Sequence, residues 1–140
     1  MLVLGKFDYV YSDQQKDALR NAITNNIEVG DIKNPGIPLN LMETYIELRS
    51  YGYDIEFLED HGIGLLSITY LDCLKELARN DIDIYQFIYC DKFIPYDNRQ
   101  ILTITDGLLE GFDIRYFGNI NLSNTEMREI IETLKKERIA

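Results

Sequence analysis

The sequence predicts an α+β domain: a mainly antiparallel sheet of about five to six strands with about four helices, ordered β-α-α-β-β-α-β-β-β-α. Three observations predict it. Apolar and polar residues alternate with period two over 1–12, 53–57 and 82–94, the pattern of a pleated strand. Four other stretches carry apolar stripes at helical spacing behind polar capping residues. Turn residues separate the strands closely enough for hairpins. A chain of 140 residues that is 46% hydrophobic has enough core material for a single compact domain spanning residues 1–140. No repeat, low-complexity tract or linker divides it.

In chain order, Phe7, Tyr9 and Tyr11 give the first strand an aromatic face. Ser12-Asp13-Gln14-Gln15 is a capping-box signature, with Asp13 suited to the positive helix start. Ala18, Leu19, Ala22 and Ile23 form the stripe of a helix ending near Asn25. Gly30, Pro35, Gly36 and Pro38 make 26–39 a loop. Asn40 is the expected cap of a second helix carrying Met42, Tyr45 and Ile46, ended by Gly52 in a left-handed turn. Tyr53, Ile55 and Phe57 then alternate with Asp54 and Glu56 as a half-exposed strand, and Leu65–Ile68 follows a turn as a short one. A third helix starts at Thr69 with Leu71, Leu74, Leu77 and Ala78 facing inward. Residues 82–94, apolar on both faces, read as a central strand. Pro95-Tyr96-Asp97-Asn98 is a turn, and Gln100–Thr105 and Gly111–Phe117 pair as a hairpin. Ser123-Asn124-Thr125-Glu126 caps the final helix, whose face is Met127, Ile130, Ile131 and Leu134.

The formal charge is −10, from 24 acidic and 14 basic residues. A pI near 4.5 argues against direct binding of nucleic acid, which needs a basic face. Residues 1–40, 41–80, 81–118 and 119–140 carry −1, −5, −4 and 0, so the excess belongs to the middle of the chain. No run of apolar residues is long enough to span a bilayer. The start has no basic region ahead of an apolar core, so no signal peptide is expected. A cytoplasmic protein with no membrane partner is the expectation. Nineteen isoleucines against four alanines suggest an AT-rich source such as a low-GC bacterium, a phage or a plasmid.

Few residues offer chemistry. Asp54, Glu56, Glu59, Asp60 and His61 form the densest polar cluster. On a strand, Asp54 and Glu56 point the same way and could face a hard cation, although carboxylates on a solvent face are what amphipathic patterning requires anyway. His61 is the only histidine, which excludes HExxH and other sites needing two imidazoles. There is no GxSxG elbow for Ser67 and no phosphate-binding glycine motif around Gly62-Ile63-Gly64. Cys73 and Cys90 read as free core thiols in a reducing compartment rather than a disulfide. No cofactor, metal or catalytic residue is assigned.

The composition therefore favours a small acidic, non-enzymatic binding protein. It would act as an inhibitor, immunity or anti-defence factor of phage or mobile-element type, covering a basic surface on a nuclease or other nucleic-acid-binding enzyme. Tyr53, Asp54, Glu56, Glu59, Asp60, Asp97, Asn98 and Arg99 are the candidate partner-binding residues. Acidic side chains would steer encounter, and interleaved tyrosines would anchor the contact. A small-ligand or nucleotide-binding protein or enzyme with a tyrosine-lined site near Asp97, Asn98 and Arg99 is the alternative reading. An oligomeric structural component is the third, and a homo-oligomer stays open.

Overall fold

The computed structural model describes residues 11–29 and 36–139. Local chemistry sets its helix starts. The Ser12 hydroxyl accepts the Gln15 N–H at 3.0 Å, Ser67 accepts that of Tyr70 at 3.1 Å, Asp97 that of Gln100 at 2.8 Å, and Ser123 that of Glu126 at 3.1 Å. Each bond satisfies one of the amide groups a helix leaves without an internal partner. The helices that follow are α1 (Asp13–Thr24), α4 (Ile68–Arg79), α5 (Asn98–Leu109) and α6 (Asn124–Ile139). Helix α2 (Leu39–Ser50) starts behind Pro38 without a side-chain cap, and α3 (Ile55–Asp60) is a short helix.

Helix stops repeat as closely as the starts. Fourteen positions after the caps Ser12, Pro38, Ser67 and Asp97 stand Asn26, Gly52, Asp81 and Gly111, all at positive φ between 60° and 95°. The next amide closes the same bond each time: Ile27 to the Ala22 carbonyl at 2.9 Å, Tyr53 to Leu48 at 3.1 Å, Ile82 to Leu77 at 3.0 Å and Phe112 to Gly107 at 3.1 Å. This is the Schellman closure, which occupies an orphan carbonyl of the last turn. One residue further, Asp54, Asp83 and Asp113 cap a second, tighter turn by accepting the amides of Phe57, Tyr85 and Arg115. Those turns are α3 and the 3₁₀ segments Ile84–Phe87 and Ile114–Tyr116. The described residues thus repeat a module of helix and left-handed stop four times, followed in the last three by an Asp-capped turn; the helix has a side-chain cap in all but α2.

The expected α+β fold with an antiparallel sheet of five to six strands is therefore corrected to a mainly helical one. Six α-helices and one two-stranded antiparallel sheet are present among the described residues, with strands β1 (Ile88–Tyr89) and β2 (Lys92–Phe93). The expected strand at 53–57 is a left-handed stop running into α3, and Leu65–Ile68 joins a 3₁₀ turn to the first residue of α4. Residues 82–94 hold an Asp-capped turn and a hairpin whose tip, Cys90 and Asp91, has φ of 52° and 66°, as a two-residue type I′ connection requires. Gln100–Thr105 lies inside α5, where the Asp97/Gln100 capping box and burial of Ile101 and Ile104 override the β preference of Ile and Thr. Gly111–Phe117 is a stop and a 3₁₀ turn. The proposed first strand falls almost wholly on residues outside those described. Sequence reading also found no repeat, whereas the module recurs.

The chain divides into two compact units, Met1–Leu58 and Glu59–Ala140. In the first, α1 packs on α2. Gln15 Nε2 donates to the Ile37 carbonyl at 2.8 Å beside the start of α2, and Arg49 near its end donates to the Glu28 carbonyl at 2.9 Å. Starts lie by starts and ends by ends, so the two helices run in the same direction. In the second unit α4 packs on α5 and α5 on α6. Ser67 Oγ donates to Asn98 Oδ1 at 2.7 Å, joining the starts of α4 and α5. Gln100 Nε2 donates to the carbonyls of Ile120 and Leu122 at 2.9 and 2.8 Å, and Arg138 donates to the Glu110 carbonyl at 2.7 Å. Helices α5 and α6 are parallel, and the return segment between them supplies the fully buried Phe117. Rings of Tyr70, Phe87, Phe93 and Tyr96 meet edge to face at 6.2 Å spacings, a favoured aromatic geometry.

Candidate functional site

The module explains where the acidic cluster comes to lie. Asp54 is the cap of α3, its Oδ1 accepting the Phe57 amide at 3.2 Å. It serves the fold, as Asp83 and Asp113 do in the next two modules. Glu56, Glu59 and Asp60 follow on α3 and are exposed. At helical spacings of three and four, Glu59 and Asp60 lie on the same side as Glu56. The strand pairing expected for Asp54 and Glu56 is replaced by a cap and a helix-surface residue. Tyr53 is half-buried, whereas Phe57, on α3 itself, is 41% exposed. The exposed aromatic beside these carboxylates is thus the phenylalanine.

Asp97 and Asn98, expected in a turn, are instead the cap and first residue of α5, and Arg99 follows within it. Asp97 holds the capping box with Gln100, and Asn98 Oδ1 accepts a hydrogen bond from the Ser67 hydroxyl. Arg99 is exposed. Of the three polar heads, Asn98 therefore joins α4 to α5 and Asp97 caps α5 itself. Of the tyrosines, Tyr45 and Tyr96 are buried, and the Tyr96 hydroxyl donates to the Gly118 carbonyl. Tyr70 is buried and donates to the Ile94 carbonyl at 2.9 Å. Desolvation pushes the Tyr70 and Tyr96 hydroxyls up from the ordinary phenol value.

The nucleophile candidates are spent in the same way. Ser67 accepts from Tyr70 and donates to Asn98. Cys73 is buried, and desolvation raises its thiol pKa despite a hydrogen bond with Thr105, which disfavours the reactive thiolate. Cys90, expected in the core, is exposed at the hairpin tip, and both thiols are unpaired. Among the described residues no three metal-ligating side chains gather, and no helix is long and apolar enough to cross a membrane.

What is left is charge. Of the fifteen acidic residues between 41 and 118, all but the half-buried Glu47 are exposed. Some have cations beside them: Lys75 meets Asp72 at 3.2 Å, and Arg115 meets Asp113 at 2.8 Å. Arg138 meets Glu110 at 3.0 Å. Hydrogen bonds from Arg138 and Arg115 hold the carboxyls of Glu110 and Asp113 below the usual range. Only six bases share the 41–118 stretch with these fifteen acids, so its exposed surface carries an excess of carboxylates.

Two features escaped sequence reading. The residue three past the cap bridges to the approach of the next helix in three modules, as Gln15, Tyr70 and Gln100. Its polar head at a fixed offset from Ser or Asp was the available signal. The other is an open groove of about 410 Å³ on α6 lined by Leu122, Glu126, Glu129, Ile130, Thr133 and Leu134. No family model, curated protein or solved structure matches this chain.

Proposed function

We propose that this chain is a small, non-enzymatic, acidic binding protein that covers a basic surface of a protein partner, in the manner of an inhibitor, immunity or anti-defence factor. The partner is a nuclease or another enzyme whose lysine- and arginine-rich groove handles nucleic acid, and the encounter takes place in the cytoplasm. The observation carrying this reading is the exposure of almost every carboxylate between 41 and 118. The Ser67 hydroxyl meanwhile serves a helix cap, and the Cys73 thiol is buried. Within the second unit α4 packs on α5 and α5 on α6, and helices packed in a row offer a binding surface without needing a pocket. Glu56, Glu59 and Asp60 supply the charge, and Phe57 supplies an apolar contact within the same turn. Complementary charge accelerates and selects encounter more than it adds affinity.

The test is capture from an extract of the expressing cell at low salt, with elution by a salt gradient. The comparison variant is Glu56→Lys/Glu59→Lys/Asp60→Lys, which leaves the Asp54 cap intact. A basic nuclease or nucleic-acid-binding enzyme should be retained by the native chain and inhibited by it, and its retention should drop at least tenfold with the variant. Capture unchanged by both the triple reversal and salt would sink the reading.

A further inference from the structure

Aligning α5 and α6 on their caps, Asp97 and Ser123, pairs Gln100 with Glu126, Thr103 with Glu129, Ile104 with Ile130, Gly107 with Thr133, Leu108 with Leu134 and Gly111 with Glu137. On α5 this side is an interface. Gln100 donates into the chain approaching α6, and Thr103 Oγ1 accepts from Arg128 at 3.1 Å. A methyl placed on Gly107 would lie 2.7 Å from Phe117 Cζ and 2.8 Å from Ile131 Cδ1, so the neighbouring module sits against bare backbone.

On α6 the same side keeps its apolar pair, since Ile104 and Leu108 recur as Ile130 and Leu134, and it forms the open groove. Its neutral positions have changed sign of preference. Three acids, Glu126, Glu129 and Glu137, stand where α5 has Gln100, Thr103 and Gly111, and all three are exposed. Among the described residues no basic side chain pairs with Glu126 or Glu129. Gln100 gives two hydrogen bonds to carbonyls; an ionised glutamate at that place can only accept. The occupant of this face must therefore bring donors where the α5–α6 interface brings acceptors. A second copy of α6 laid parallel and in register would set Glu126, Glu129 and Glu137 against the same three acids, which costs free energy.

We infer that the outer face of α6 is a docking surface for an amphipathic helix of another protein, one with a single apolar stripe flanked by lysine or arginine. Its apolar stripe lies over Ile130 and Leu134, continuing the helix-on-helix stacking of α4, α5 and α6. Its cations meet Glu126, Glu129 and Glu137. None of Glu56, Glu59 and Asp60 takes part in this surface, so its test does not decide the proposal made for them.

The probe is an 18-residue peptide with one leucine stripe at helical spacing and flanking lysines, compared with a scrambled peptide of the same composition and with a glutamate-flanked version. Titration calorimetry and amide chemical shifts of the full chain read the binding. The lysine peptide should bind, shift the signals of Ile130 and Leu134, and exceed both controls at least tenfold. Glu129→Lys/Glu137→Lys, which leaves the Ser123 cap untouched, should weaken it at least tenfold, as should Ile130→Asp in a variant shown by circular dichroism to be folded. Glu56→Lys/Glu59→Lys/Asp60→Lys should leave it unchanged. The inference is overturned if the scrambled peptide binds equally, if the α6 reversal has no effect, or if the lysine peptide does not bind. It is equally overturned if light scattering shows a dimer that Ile130→Asp dissolves, because a second copy would then be the occupant.

Discussion

Gln100 shows how much one side chain can hold in this fold. It is 7% exposed. Its Oε1 accepts the Asp97 amide at 2.8 Å, and its Nε2 donates to two carbonyls ahead of α6. Gln100→Glu keeps the first bond and loses the other two, leaving a carboxylate facing two carbonyl oxygens in a nearly closed site. Leaving buried partners unsatisfied costs about 1–3 kcal/mol, and more where a charge is involved. Denaturant melts should therefore show Gln100→Glu destabilised by at least about 1 kcal/mol at neutral pH. Glu126→Gln, the reverse change on the exposed counterpart, should move stability by less than about 0.5 kcal/mol. Equal effects at the two positions would mean that the donated bonds carry no net stability.

At the scale of the element, the stop is the module's most regular feature and its most uneven in cost. Gly52 and Gly111 adopt φ of 95° and 93°, whereas Asp81 holds φ of 60° with a side chain. A Cβ in the left-handed region costs on the order of 1 kcal/mol, less for Asp than for most residues. Asp81→Gly should thus raise stability by about 0.5–1 kcal/mol. Gly111→Ala should lower it by about 1 kcal/mol; a methyl there would meet nothing within 4 Å, so that loss would be conformational alone. The unfolding midpoints of the two variants should move in opposite directions.

That stop also explains which elements were legible. Apolar stripes behind Ser12, Thr69 and Ser123 located α1, α4 and α6, with the true cap of α4 two residues earlier at Ser67, and Gly52 marked the end of α2, because those signals are local. The sequences Tyr53-Asp54-Ile55, Ile82-Asp83-Ile84 and Phe112-Asp113-Ile114 alternate with period two and so imitate strands. Here the alternation has another cause. The first residue closes the helix below it, Asp caps the turn above it, and Ile55 and Ile84 enter the core. Three residues cannot distinguish these origins, but their recurrence at matching offsets from a cap could have. For the candidate site, the exposure of Glu56, Glu59 and Asp60 was legible from their polarity. The capping duties of Asp54 and Asp97 were hidden because they depend on where a helix begins.

At the scale of the whole molecule, the same carboxylates that suit a basic partner repel one another. A net charge of −10 on 140 residues, with the acids between 41 and 118 exposed almost without exception, loads the folded state with like-charge repulsion. Unfolding spreads these charges apart and relieves it. Opposing this are ion pairs such as Arg115–Asp113 and Arg138–Glu110, which lie at the surface, where solvent screening leaves a pair little net stability. Salt weakens both contributions, shrinking the screening length to about 8 Å at physiological ionic strength. Because acids outnumber bases by 24 to 14, relief of repulsion outweighs the loss of pairs. The melting temperature should rise by a few degrees between about 20 and 300 mM sodium chloride, while association with a basic partner weakens over the same range. Neutralising Glu56, Glu59 and Asp60 with glutamine and asparagine should reduce that salt-dependent rise. A melting temperature that falls with added salt would place the balance with the ion pairs, and the acidic surface would then be held by local pairing rather than left open to a partner.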